Sequence, residues 1–280
     1  LVIAIFAFNV YFKHEILEAF LFSLSLAVGL TPQLLPAIIS VNLAHGAKRM
    51  AQKQVIVRRL AVIENFGSMD ILCSDKTGTI TAGTVRLDRA CDASGSSSEK
   101  LALFASLNAA FETGFANPID QALRAAVSRD LSAFKKVDEV PYDFIRKRLT
   151  VLVEHDRRYL LITKGAVPNI LEACRRVENG NGETLELNGL RPEIQRRFEE
   201  LSAQGYRTLG VAYREIPQPK HIGEADEAQL IFLGFLAFAD PPKPDIAATI
   251  LALRRAGVAL KIITGDNRAV AAHVGGQIGL

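Results

Sequence analysis

Two short apolar runs, each closing on an acidic turn, stand far apart in the chain and constrain its fold more than any other feature. Met69–Cys73 (MDILC) runs straight into Ser74-Asp75-Lys76-Thr77-Gly78-Thr79-Ile80-Thr81, and Val258–Ile263 (VALKII) opens into Thr264-Gly265-Asp266. Runs of this length suit buried parallel strands. A strand that ends in Asp and a Gly-containing turn puts its carboxylate at the carboxyl edge of a sheet, where open α/β folds place ligands. A third run, Leu230–Phe238, ends in Asp240-Pro241-Pro242-Lys243. The helix after it has Ile246, Thr249, Ile250 and Leu253 on one face and stops at Gly257.

The expected organisation is therefore one α/β domain interrupted by another. Residues 66–89 and 229–280 supply the two parts of the first, and 90–228 form the insertion. Within the insertion, Asn117-Pro118-Ile119-Asp120 opens a helix, with a cap, proline at its first position and an acid at its third. Leu149–Val153 and Tyr159–Thr163 flank His155-Asp156-Arg157-Arg158 as a hairpin, followed by Lys164-Gly165-Ala166. Pro192–Gly205 reads as a helix and Tyr206–Tyr213 as a strand.

The first forty-odd residues differ in kind. Leu1–Phe12 is apolar throughout and reads as the tail of a transmembrane helix. Ala19–Val41 carries no charge, a length that crosses about 30 Å of hydrocarbon. Lys48, Arg49, Lys53, Arg58 and Arg59 follow it, which by the positive-inside rule puts everything after residue 41 in the cytoplasm. Residues 1–41 are the expected transmembrane region and 42–65 a helical stalk. Pro32 and Pro36 break the second span at its middle and free the carbonyls of Val28 and Pro32 beside Gln33, the kind of midplane backbone that holds cations in transporters. A proline kink with no ligand role is the alternative.

Composition narrows the function classes. Lys+Arg is 33 and Asp+Glu is 30, a net +3 that gives no footprint for nucleic acid. Cys73, Cys91 and Cys174 have no CxxC spacing and read as free thiols in a reducing compartment. Neither GxxxxGK[ST] nor GxGxxG is present, which argues against the two commonest nucleotide-binding motifs. An Asp at a sheet edge beside Lys76 and Thr77 can instead be a nucleophile toward a phosphoryl group. Lys164 and Arg207 can hold a nucleotide's phosphates, and Mg²⁺ can bridge Asp75 and the transferred group.

DKTGTIT at 75–81 resembles the phosphorylation signature of P-type ATPases. Lys164-Gly165-Ala166, Asp240-Pro241-Pro242 and Thr264-Gly265-Asp266 resemble further motifs of that family, in the same order. GLTPQLLPAIIS, VIVRRLAVIENFGSMDILCSDKTGT and TGFANPIDQAL are most similar to bacterial magnesium-transporting members. The resemblance implies a membrane α-helical segment and a haloacid-dehalogenase-like (Rossmann-like) phosphorylation domain interrupted by an α+β nucleotide-binding domain. It also implies an internal fragment of an ATP-driven pump in the bacterial plasma membrane, moving Mg²⁺ inward. The actuator domain and the second acidic metal-binding loop of such pumps have no counterpart here.

Carried over, Asp75 is the aspartate phosphorylated by ATP, and Thr77 contributes to Mg²⁺ and phosphate contacts. Thr264 and Asp266, with Gly265 between them, shape the γ-phosphate site, and Asp240 orients the nucleotide. Tyr142 stacks on adenine, Asp120 stands near its amino group, and Lys164, Gly165 and Arg207 complete the pocket. Val28, Pro32 and Gln33 face the transported ion. Each has a plainer alternative: Asp120 as a helix-capping acid, Tyr142 as a core aromatic, Arg207 as a surface charge. Gln33 stands where members often carry Glu, and Lys243 where many carry Arg.

Two rival functions remain. A soluble phosphatase of the haloacid-dehalogenase type uses the same nucleophile but carries a second Asp two residues on, where this chain has Thr77. A catalytically silent nucleotide-binding fragment differs in taking up no phosphate at Asp75.

Overall fold

The computed structural model describes residues 2–13, 15–114, 117–126, 130–217 and 221–280, without the side chains of 13 and 30–34. The chain divides into two units, Leu1–Asp70 and Ile71–Leu280.

In the first unit, α1 (Val2–Lys13) is followed by α2 (Ile16–Gln52), and the Phe6 ring meets the Phe20 ring edge-on at 6.4 Å. The expected break in the second span is not an interruption of the helix: α2 is one element through Pro32 and Pro36. A proline can remove a single backbone bond yet leave its neighbours helical, which bends a helix without ending it. The expected stalk helix stops at Gln52, and a short 3₁₀ segment, Leu60–Ser68, follows a turn and a few residues of irregular chain. Among the described residues no helix is long and apolar enough to cross a membrane. The transmembrane expectation is corrected to that extent. α1 has only 12 residues, and α2 carries Glu18 in its first turn and Lys48 and Arg49 near its end.

In the second unit, β1 (Ile71–Asp75) pairs in parallel with β10 (Ala259–Ile263), Asp75 opposite Ile263. Helices α7 (Ile246–Arg255) and α8 (Arg268–Gln277) cover one face through Ile250, Val274 and Ile278, packed on Leu260 and Ile262.

The larger sheet is mixed. Its path runs β3 (Lys135–Asp143), β4 (Arg148–His155), β5 (Arg158–Ala166), β8 (Arg207–Ile216), β9 (Leu230–Ala239), β6 (Cys174–Glu178) and β7 (Thr184–Glu186), with β2 (Arg86–Asp92) also paired to β9. Helices α3 (Glu99–Phe111) and α4 (Pro118–Ala126) cover one face, and α5 (Val167–Ala173) and α6 (Leu187–Ala203) the other. Strand alternation divides the two cores: Val151 and Val153 join Leu101 and Leu123, whereas Leu152 and Leu161 join Ile170 and Leu201. The expected hairpin is β4–β5, turning at Asp156 and Arg157, both with positive φ. α6 begins at Leu187 rather than Pro192, which lies inside it.

One assignment changes. Leu230–Phe238 is expected in the same domain as β1, but β9 is a central strand of the large sheet, and β2 joins it there. The run is apolar because helices cover both faces of that sheet, a property shared with parallel α/β strands and therefore not diagnostic of either. The expected 66–89 and 229–280 segments accordingly lose 86–89 and 230–239 to the insertion. The chain crosses between the sheets twice, at 80–83 and 240–243, and the crossings are pinned together. Ala82 N–H donates to the Pro241 carbonyl at 3.0 Å, and Lys243 N–H to the Ile80 carbonyl at 3.0 Å.

Candidate functional site

Because β1 and β10 are parallel, the turns that follow them emerge at the same sheet edge. Asp75 is exposed there, and among the described residues nothing bonds its carboxylate. The chain reverses at Gly78, whose φ of +76° strains any residue with a Cβ. Lys76, 3% exposed, turns inward to Asp266 Oδ2 at 2.5 Å and lies 3.7 Å from Asp240 Oδ2. A buried ammonium is tolerated when carboxylates surround it, and both of these come from the far end of the sequence from Lys76. Asp240 also accepts from the Thr81 hydroxyl at 2.6 Å and the Gly83 N–H at 3.1 Å. Thr264 Oγ1 accepts the Asp266 N–H at 3.1 Å, which fixes the loop after β10. Asn267 then caps α8 by accepting from Val270 N–H at 2.9 Å, and donates to Ser202 Oγ on α6 at 2.9 Å.

A cavity of about 910 Å³ opens between that loop and the large sheet. Tyr142, Asp120, Lys164, Gly165 and Arg207 line one side, and Gly265, Asp266 and Asn267 the other. Tyr142 is half exposed and meets Phe144 edge-on at 5.4 Å, so an aromatic face is left open to the cavity. Lys164 lies inside β5 rather than after it, and is buried in an ion pair with Asp120, with Glu112 Oε2 3.9 Å away. Burial, then a hydrogen bond to Asp120, pushes the Glu112 carboxyl up to about 8, against the opposing pull of Lys164. Asn117 accepts the Ile119 N–H at 2.9 Å and so caps α4, which aims Asp120 inward from its first turn. Gly165 is required by space alone: a Cβ there would meet Arg148 Cα at 2.7 Å and collide with the Lys147 carbonyl.

Of the residues singled out in the sequence, the cavity gathers Asp120, Tyr142, Lys164, Gly165, Arg207, Gly265 and Asp266. Asp75, Lys76, Thr77 and Asp240 form the turn cluster and do not line it. Lys76 and Asp240 are engaged with each other's surroundings, and Asp266 belongs to both groups. Val28 is exposed on α2, while the side chains of Pro32 and Gln33 lie outside the described residues. Sequence reasoning missed Glu112, Glu139, Lys147 and Phe198 on the cavity wall. No motif marks them: the β3–β4 pairing brings in Glu139 and Lys147, and the packing of α3 and α6 on the sheet brings in Glu112 and Phe198.

Among the described residues no three His, Cys, Asp or Glu side chains cluster to cage a metal. The free Asp75 carboxylate suits Mg²⁺ nevertheless, since that ion is commonly held by one or two carboxylates together with substrate phosphates and water.

A helix-layered mixed sheet, joined by two pinned crossings to a small parallel sheet with an aspartate at its edge, is the architecture to be classified. Residues 64–245 match the family model for P-type ATPase, cytoplasmic domain N, and the chain belongs to the P-type ATPases. It is 41% identical to the magnesium-transporting ATPase, P-type 1, of Escherichia coli K12 and 42% identical to that of Salmonella typhimurium, each time over 97% of this chain. It is also 30% identical to calcium-transporting ATPase 1 of Bacillus cereus over 96% of its length. The chain spans about a third of the length of these relatives, 31% in the first two and 33% in the last.

Proposed function

We propose that this chain is the nucleotide-binding and phosphoryl-accepting part of an ATP-driven cation pump, with Asp75 as acceptor and Mg²⁺ as cargo. The observation that carries the reading is the double position of Asp266. It lines the cavity and also holds Lys76, the neighbour of Asp75, so a ligand in the cavity and the acceptor turn share one residue.

Adenine stacks on Tyr142, with Asp120 accepting from its amino group, and Lys164 and Arg207 draw the phosphates along the wall. Asp75 Oδ attacks the γ-phosphorus, an aspartyl phosphate O–P bond forms, the bond from γ-phosphorus to the bridging oxygen breaks, and ADP leaves with that electron pair. Asp75 and Thr77 would hold Mg²⁺, which supplies charge neutralisation at the transferred group. Thr77 offers no carboxylate to activate water, so the acyl phosphate persists until another group attacks it. That persistence favours a pump over a phosphatase.

For the cargo, Ala19–Val41 contains no Cys, His or Met, and oxygen ligands suit Mg²⁺ better than copper or zinc. Val28, Pro32 and Gln33 are assigned to the ion path. Residues 42–280 would lie on the cytoplasmic side of the bacterial plasma membrane.

Nucleotide titration of the chain by isothermal calorimetry tests the reading. Tyr142→Ala and Lys164→Ala should each weaken ATP binding about tenfold or more, and Asp75→Asn should leave it intact. Binding unaffected by both cavity substitutions would contradict it.

A further inference from the structure

We propose that Glu112 and Asp120 hold a single proton between them beside Lys164, and that nucleotide affinity falls when Glu112 ionises. This rests on the nucleotide reading of the cavity given above.

Three charged side chains meet where the end of α3, the first turn of α4 and β5 converge. Side-chain exposure is 8% for Glu112, 3% for Asp120 and 7% for Lys164. Two carboxylates facing one ammonium out of water are balanced only if one carboxyl keeps its proton. Glu112 is the one to keep it. Asp120 has the close ion pair with Lys164, whereas Glu112 Oε2 stands 3.9 Å from the same ammonium. Its carboxyl is accordingly displaced upward, by burial first and Asp120 second.

The other charges nearby are committed elsewhere or exposed. Arg124 on α4 is exposed; it gives its Nε and Nη2 to the Ala109 carbonyl, at 2.8 and 2.5 Å, and its charge draws the Glu112 carboxyl down less than Lys164 does. Glu139 on β3 accepts from Thr113 N–H at 3.0 Å and from Lys136 Nζ at 3.0 Å. Asp266, on the far wall, is paired with Lys76. Lys147 and Arg207 are exposed at the rim. Asp120 and Lys164 are thus the buried charges facing Glu112 among the described residues.

A nucleotide brings several negative charges to this wall. With Glu112 neutral the cluster sums to zero; with Glu112 ionised it carries −1, and a buried like charge repels the phosphates strongly. Bound nucleotide therefore favours the protonated carboxyl, and above the pH at which free Glu112 ionises, binding must draw a proton from solvent onto Glu112 Oε.

The test titrates the chain with ADP from about pH 7.5 to about pH 9.5, a range in which the ADP phosphates stay fully ionised. Kd should rise by up to about tenfold per pH unit above pH 8, and heats in two buffers of different ionisation enthalpy should show uptake approaching one proton. Glu112→Gln should flatten the profile and abolish the uptake. A flat Kd without uptake in the unsubstituted chain, or an unchanged slope in Glu112→Gln, overturns the proposal. Should that variant not fold, the two-buffer measurement on the unsubstituted chain decides alone. Binding with a flat profile overturns this inference only, whereas no binding at any pH overturns the functional reading along with it.

Discussion

Lys76 Nζ lies 2.5 Å from Asp266 Oδ2, so the residue after the candidate acceptor is tied to the loop that walls the cavity. Both side chains are largely out of water, and Asp240 is the second carboxylate at the same ammonium. Through Thr81 and Gly83, Asp240 also links the two crossings between the sheets.

Asp240→Ala should therefore cost more than a surface substitution. It leaves Lys76 with one carboxylate and removes the acceptor from the Thr81 hydroxyl and Gly83 N–H. The expected loss is about 3 kcal/mol, within the range for breaking a buried pair. Urea unfolding of the chain measures it, and a midpoint unchanged from the unsubstituted chain would refute the role given to Asp240.

Gly165→Ala should fail for a different reason. The backbone at 165 is ordinary, so the cost is purely the collision with the backbone of Lys147 and Arg148. Overpacking of this kind costs about 1–3 kcal/mol, and the shift of β5 against β4 would move Lys164 with it. Loss of stability together with weaker nucleotide binding is expected. Retention of both would mean the strands separate freely there.

The motifs were legible because each carries its own chemistry. DKTGT needs Gly78 in a left-handed turn, KGA needs Gly165 against a neighbouring strand, and NPID spells a helix start. What misled was apolar content. Leu230–Ala239 is as apolar as a strand of the small sheet, and only its pairing with β2, β6 and β8 reveals where it belongs. Glu112 was invisible for the converse reason, since a lone Glu after a helix signals nothing until Asp120 and Lys164 fold against it.

Glu112 also makes stability depend on pH. Its folded carboxyl titrates at about 8 against an ordinary value of 4.5, so the folded chain keeps a proton that the unfolded chain releases. The contribution of the protonated carboxyl is fully present below pH 4.5, erodes as pH rises, and is gone once pH passes about 8. The thermal midpoint of the chain should fall across that window, and Glu112→Gln should fall less. Parallel profiles for the two would contradict the assignment.

Acceptance of phosphate by Asp75 is the centre of the account, and acid-quench labelling measures it most directly. Membranes from cells producing the protein should incorporate label from ATP marked at the γ-phosphate but not at the α-phosphate, in an acid-stable, hydroxylamine-sensitive bond. Asp75→Asn should abolish the label while nucleotide binding persists. Equal γ-phosphate labelling of Asp75→Asn and the unsubstituted protein would contradict the account.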